Sequence, residues 1–250
     1  MLTKKSRGFK RSGFLVLSIL LLTFVLSPVS AFAQETEYNE VTVNSYIAYL
    51  ASYDAETAVE QGVDEAYAEQ SVTDAKINLE KFKQLSEQEQ EKFVYVINNP
   101  TIIENVLSGE TNTEIPELTF NEESKVVPSQ ESGIGLRANY YTREIEHYQS
   151  VDLYGVDIIA YQIFGTYKYD LESVLEASSV RAIVVKNLNP LCTTYVTSTD
   201  KYLTGDTFVA KATYYLGYGP VKGLSVQIST VYAEVRGDKS GKKFGLIYSS

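Results

Sequence analysis

The segment GDTFVAKATYYLGY, residues 205–218, decides the fold class because its side chains alternate with the two-residue period of a β-strand. β-Branched and aromatic residues, which favour strands, supply much of this segment. One face would carry Phe208, Ala210, Ala212 and Tyr214. The opposite face would carry Val209, Lys211, Thr213 and Tyr215.

The same period extends over residues 136–250 and predicts further strands. We expect them at Arg137–Tyr148, at Val151–Tyr169 with breaks at Gly155 and Gly165, at Val180–Lys186, at residues 224–230, and at Lys242–Tyr248 after a turn at Gly237–Gly241. Six or more strands at this spacing are typical of an antiparallel β-sandwich or a barrel-like domain.

Residues 34–109 have a helical composition instead, with one Gly and one Pro between positions 46 and 107. Ser86 followed by Glu89 predicts a capping box. Asn99 is expected to cap a second short helix that begins at Pro100 and stops at Gly109. A further helical stripe covers 75–85, whereas 53–70 has few large apolar residues and is expected to bury little.

Residues 110–135 contain two Pro and two Gly and have no sustained apolar period, which predicts a linker. Val126 and Val127 could still pair as a short strand. The predicted fold class is therefore α+β: a small N-terminal helical region (34–109), the linker (110–135), and an antiparallel β-sandwich or barrel-like domain (136–250).

Residues 1–33 are typical of a secretory signal peptide. Five basic residues precede an apolar run at 14–26, and Ala31 and Ala33 fit a cleavage site. The run is shorter than the roughly 20 residues that span a bilayer, so an uncleaved anchor is the weaker alternative. We expect a protein secreted to the extracellular space, with no stable transmembrane segment in its mature form.

The charge is unevenly distributed. Residues 34–131 hold 21 acidic and 5 basic residues, whereas residues 132–250 hold 11 acidic and 12 basic ones. The acidic first half argues against nucleic acid as a partner, because phosphate binding depends on Lys and Arg. Two interpretations remain open: a solvated helical surface, or an acidic pro-segment that restrains the second half.

Cys192 and His147 each occur once, so neither has a second Cys or His for a disulfide or a His-rich metal site. We interpret Cys192 as a small buried apolar residue at a strand edge. His147 is expected to face the surface. The sequence predicts no catalytic, cofactor-binding or metal-binding residue, and no cofactor.

Carboxylates leave one enzymatic alternative open, because glycoside hydrolysis needs two of them on facing surfaces. The β region offers Asp152, Asp157, Asp170 and Glu172. Acidic residues are common and need no special role. We therefore expect a protein without catalytic activity, with a carboxylate-based hydrolase not excluded.

The acidic helical segment with Leu85-Ser86-Glu87-Gln88-Glu89-Gln90-Glu91-Lys92-Phe93, followed by a Tyr-rich β region with Leu153-Tyr154-Gly155-Val156, resembles the secreted geobacillin-type large bacteriocins of Gram-positive bacteria. This resemblance implies an antibacterial protein that acts on a bacterial surface. The alternative is an extracellular or envelope-associated binding protein without catalytic activity. The expected partner is a bacterial cell surface or an extracellular protein.

Contact with that partner is expected from the β region, which holds 14 of the 20 Tyr residues. Tyr rings suit interfaces, although ordinary strand packing explains most of them equally well. Lys239, Lys242 and Lys243 around one turn would help this region to approach an anionic envelope.

Overall fold

A computed structural model describes residues 40–109, 115–127, 140–219, 225–241 and 243–250. The expected signal peptide, residues 1–33, lies outside the described residues, and so do residues 110–114 and 128–135 of the expected linker. Residues 39–250 cluster into one compact unit, so the helical and β regions belong together.

The first part of this unit is helical, as predicted. Its elements are α1 (Val43–Ser52), α2 (Ala55–Glu60), a 3-10 turn (Glu65–Tyr67), α3 (Ala68–Gln84), α4 (Glu87–Asn98) and α5 (Pro100–Leu107).

The ends of α4 and α5 follow the predicted signals in all but one detail. Ser86 and Glu89 form the capping box at the start of α4, and Pro100 is the first residue of α5. Gly109 has a φ of +80° just after α5. Asn99 does not cap α5 with its side chain; its Nδ2 donates to the carbonyl of Tyr95 (2.6 Å) instead.

The second part consists of eight antiparallel strands among the described residues. They are β1 (Leu118–Val127), β2 (Tyr141–Leu153), β3 (Val156–Tyr169), β4 (Val174–Asn187), β5 (Cys192–Thr204), β6 (Thr207–Tyr218), β7 (Val226–Asp238) and β8 (Lys243–Ser249). The first four form one sheet and the last four another, each in sequence order. The predicted α+β class, helices followed by antiparallel sheets, is confirmed.

The expected linker contains a ten-residue strand, which corrects the prediction for residues 118–127. β1 pairs with β2 from Leu118 opposite Leu153 to Val127 opposite Glu144. It is an edge strand, and edge strands often carry charged residues that weaken the sequence signal. The polar strand β5 was also not predicted over most of its length.

Two glycines in the β region behave differently. Gly155 lies with Tyr154 in the β2–β3 turn, and both have positive φ, so the predicted break is correct there. Gly165 does not break β3. A Cβ at this position would lie 2.4 Å from the ring of Phe208, so the missing side chain makes room for a residue of the other sheet.

The two sheets contact each other through aromatic rings. Tyr167 of β3 stacks on Phe208 of β6, with ring centroids 5.0 Å apart, and the rings of Tyr161 and Tyr214 are 4.8 Å apart. The Tyr214 hydroxyl donates to the carbonyl of Gln162 (3.0 Å). The four aromatic side chains are buried, so the core lies between the sheets.

The helices share that core. The hydroxyl of Tyr46 donates to the carbonyl of Leu188 (3.2 Å), just after β4, and that of Tyr53 donates to the carbonyl of Asn187 (3.1 Å), the last residue of β4. One hydrophobic cluster contains buried residues from all five α-helices and from both sheets. The helical region is therefore not separated from the β region by an independent core.

The segment after α2 ties the two sheets together at their edges. Asp64 donates its backbone N–H to the carbonyl of Val184 in β4 (3.1 Å), and Thr194 in β5 donates its own to the carbonyl of Gln61 (3.1 Å). Tyr53 and Val63 are buried. The expectation that residues 53–70 bury little is wrong, because Tyr53, Ala58, Val63 and Ala68 are all buried in the core, although Val59 is exposed.

Candidate functional site

The outward side of the second sheet carries a group of exposed and partly exposed aromatic and apolar side chains. We call this surface the aromatic face. It is defined by Tyr195, Tyr202, Tyr215, Tyr232, Phe244, Leu246 and Tyr248. Phe244 is 50% exposed and Tyr248 40% exposed. Neighbouring rings this open to solvent are what binding surfaces offer to a partner.

Strand register arranges these rings in pairs. Tyr232 lies opposite Tyr248, and their rings stack with centroids 5.4 Å apart. Tyr195 lies opposite Tyr215, and their centroids are 4.8 Å apart. Each ring of such a cross-strand pair packs on its neighbour, which stabilises the sheet and restricts the rotamers of both side chains.

Charged side chains on the aromatic face form salt bridges with each other and cation–π contacts with its rings. Lys211 lies 3.3 Å from Glu234, which also pairs with Arg236. Lys211 lies over the ring of Tyr202 (5.6 Å), and Arg236 lies over that of Phe244 (5.7 Å). Hydrogen bonds to Tyr202 and Glu234 raise the pKa of Lys211, so it stays cationic at neutral pH. The positive and negative charges here largely cancel.

A groove of about 360 Å³ crosses this face between β5 and β8. Its walls combine ring surfaces with polar groups from all four strands. They include Ser198, Asp200, Lys211, Thr213, Tyr232 and Tyr248. The sequence did not predict this groove, because Ser198 and Asp200 lie on the unpredicted strand β5. The alternation at 205–218 did place Lys211 and Thr213 on one face.

Cys192 is buried, as predicted. Burial raises the pKa of its thiol to about 12. Since the thiolate is the nucleophilic form, the thiol stays unreactive at neutral pH.

His147 does not face the surface, which corrects the prediction. It is 1% exposed and its ring fills the space over Gly245, where a Cβ would lie 2.3 Å from Nδ1. Nδ1 lies 2.7 Å from Ser124 Oγ, whereas buried Nε2 has no hydrogen-bond partner among the described residues. Burial lowers the pKa to about 4, so the imidazole is neutral. The sequence does contain a signal for this burial, because His147 is two residues from Ile145 and therefore lies on the same strand face as that apolar residue.

Asp157 belongs to a buried ion cluster that the sequence did not predict. Lys186 Nζ lies 2.9 Å from the carboxylate of Asp157 and 2.7 Å from that of Asp74, and the lysine side chain is 8% exposed. Burial alone would lower the pKa of Lys186, but the two carboxylates raise it above its ordinary value. This cluster joins α3 to β3 and β4.

Asp152 lies opposite Asp157 in the β2–β3 register, so the structure brings these two candidates together. Asp152 is buried and accepts hydrogen bonds from Thr119 Oγ1 (3.0 Å), the side chain of Asn121 and the N–H of Gly155 (3.2 Å). Burial raises the pKa of Asp152. Its hydrogen bonds connect β1, β2 and the turn.

Asp170 and Glu172 lie at the other end of β3, in the β3–β4 turn. The Asp170 carboxylate accepts the backbone N–H groups of Glu172 and Ser173 (2.7 Å each), which lower its pKa. The four expected carboxylates thus form two separate pairs. Within the part of the chain that the structure describes, no group of three or more His, Cys, Asp or Glu is arranged to hold a metal ion.

The turn with Lys239, Lys242 and Lys243 offers fewer cations to an anionic envelope than expected. Lys239 Nζ donates to the carbonyl of Glu172, and Lys243 Nζ donates to that of Ser124. The side chain of Lys242 lies outside the described residues. Two of the three expected cations therefore bind the protein itself.

Comparison of the chain with protein-family models, with curated proteins and with solved structures found no match. Among the described residues, no helix is both long and apolar enough to cross a membrane.

Proposed function

We propose that this chain is a secreted antibacterial protein of the bacteriocin type, and that its aromatic face contacts the surface of a target bacterium. The observation that carries the proposal is the aromatic face itself. Rings that are stacked in pairs and open to solvent lose little side-chain entropy on binding, because each already packs on its neighbour, and this favours an interface.

The distribution of charge also supports contact with the bacterium through the aromatic face. A cleft between α2 and α3 is lined by Glu56, Glu60, Glu65 and Glu69. Bacterial envelopes are largely anionic, so this side is repelled. On the aromatic face Glu234 pairs with both Lys211 and Arg236, and these two cations balance the charges of Glu234 and Asp200, so this face can approach the envelope without that penalty.

We further propose that the two sheets form a β-sandwich and that residues 1–33 are a signal peptide. A secreted protein with one cysteine has no internal disulfide and depends on its packed core for stability outside the cell. Cleavage after Ala33 would release a form that begins at Gln34.

The test is to add the purified protein to a panel of Gram-positive and Gram-negative strains and to measure both binding and viability. We expect binding to some Gram-positive strains and a fall in their viable count. Binding to none of the strains would contradict the proposal.

The second candidate is an extracellular or envelope-associated binding protein without catalytic activity. The aromatic face favours it as well, since binding does not require killing. Strong binding without loss of viability in any strain would select this candidate over the bacteriocin.

A further inference from the structure

We infer that the groove on the aromatic face binds a neutral saccharide, such as the glycan of a cell wall. This inference names the ligand class for the proposed function and rests on it, because the target surface supplies the glycan. It follows from the shape of the groove and from the chemistry of its walls.

The apolar part of the groove suits a sugar ring. Tyr232 and Tyr248 form one wall with their stacked rings, and each also carries a hydroxyl. The axial C–H groups of a pyranose form an apolar patch that packs on such a ring, while its edge stays polar. A Tyr ring offers both kinds of contact at a low cost in entropy.

The polar part provides donors and acceptors at a fixed spacing. The hydroxyls of Ser198 and Thr213 lie within hydrogen-bond distance of each other (2.6 Å) on neighbouring strands. Asp200 and Glu234 add carboxylates, and Lys211 lies opposite both in the register. Vicinal hydroxyls of a sugar donate to carboxylates and accept from an ammonium group, so these side chains match them.

The charges of the groove argue for a neutral ligand. Lys211 is already paired with Glu234, and Asp200 adds a further negative charge beside them. An anionic lipid headgroup would meet two carboxylates, and a cationic ligand would meet the ammonium group of Lys211. An uncharged sugar pays neither electrostatic penalty.

The size of the groove is also suitable. Its volume of about 360 Å³ lies within the range of about 300–1,000 Å³ that small-ligand sites occupy. It runs across the four strands, whereas a peptide that adds to a sheet would need a free edge. The groove therefore favours a compact polyhydroxylated ligand.

The experiment is a calorimetric titration of the full chain with chitotetraose, a neutral amino-sugar oligomer. We expect a dissociation constant of about 10 μM to 1 mM. Tyr248→Ala should weaken binding at least tenfold and Asp200→Asn at least threefold, while both variants stay folded and the loss of the Tyr232 stacking lowers the thermal midpoint of Tyr248→Ala by no more than about 4 °C. Tyr95→Ala is the matched control, because Tyr95 is 51% exposed on α4 and should leave binding unchanged.

Vesicles of phosphatidylcholine form a second arm of the experiment. Lack of chitotetraose binding at about 10 mM, or vesicle binding that Tyr248→Ala abolishes, would overturn the saccharide assignment. Equal affinity of Tyr248→Ala and the unaltered chain would also overturn it. If bacteria still bind the unaltered chain in these cases, the proposed function stands and the saccharide alone is wrong; if they do not, both fail.

Discussion

Gly62 lies directly against the backbone carbonyl of Thr194, so that a Cβ on residue 62 would be 1.6 Å from the carbonyl oxygen. Gly62 follows α2 and Thr194 lies in the edge strand β5. The helical region therefore packs so closely against the second sheet that only glycine, which has no Cβ, fits at position 62. A φ of +97° adds a second requirement for glycine.

Replacing Gly62 with Ala should destabilise the protein by more than about 4 kcal/mol or prevent folding, because a backbone atom cannot move aside as a side chain can. Gly109→Ala is the control. Gly109 also has a positive φ but nothing lies within 4 Å of its added Cβ, so we expect a cost of about 1–2 kcal/mol. Chemical denaturation of both variants measures the difference; equal costs would show that the contact is not needed.

Removal of the helices should unfold the β region. A chain that begins at Gly135 lacks β1 and the hydrogen bonds from Tyr46 and Tyr53 to the carbonyls of Leu188 and Asn187. It also exposes the apolar residues that the helices cover. We expect aggregation or loss of the β-type circular dichroism signal. A soluble, folded chain would instead support the interpretation of the acidic half as a removable pro-segment.

The sequence predicted those parts of the fold whose signals are local. The capping box at Ser86, the alternation around Phe208 and the turn at Gly155 depend on neighbouring residues alone. Gly165 was misread because its role is a contact with Phe208, far away in the chain. The strand β1 was missed because its charged residues resemble those of a loop.

The candidate site was less predictable for the same reason. The Tyr content of the β region suggested a binding surface, but the sequence does not show that Tyr232 and Tyr248 are neighbours. The ion cluster of Lys186 joins residues that are distant in the chain, since Asp74 and Lys186 are more than a hundred positions apart. Strand register and helix packing create both features, and neither is encoded locally.

Lys186→Met should destabilise the protein by about 3–5 kcal/mol, since it leaves Asp74 and Asp157 close together without a cation. Lys168→Met serves as the control, because Lys168 pairs with Glu176 in a more exposed position. Its loss should cost at most about 1 kcal/mol. Urea titration compares the two, and a cost below 1 kcal/mol for Lys186→Met would show that the cluster adds little.

His147 should make stability fall in acid. The folded residue titrates at about pH 4 and an unperturbed histidine at 6.5, so the unfolded chain binds more protons between these values. The stabilising contribution is complete above pH 6.5 and is lost as the pH falls toward 4, by about 3 kcal/mol. His147→Gln removes this part of the pH dependence. Urea titrations from pH 7 to pH 4 with parallel curves for both proteins would contradict a buried neutral imidazole.

The most direct test of the account compares two double variants in a cell-binding assay with a susceptible Gram-positive strain. Phe244→Ser with Leu246→Ser alters the aromatic face at residues that are 50% and 39% exposed. Val59→Ser with Ile77→Ser alters residues of α2 and α3 that are 43% and 51% exposed. Since all four side chains are partly exposed, both double variants should fold. We predict at least a tenfold loss of binding for the first and no change for the second; unchanged binding by the first, or a loss confined to the second, would contradict the claim that the aromatic face contacts the bacterium.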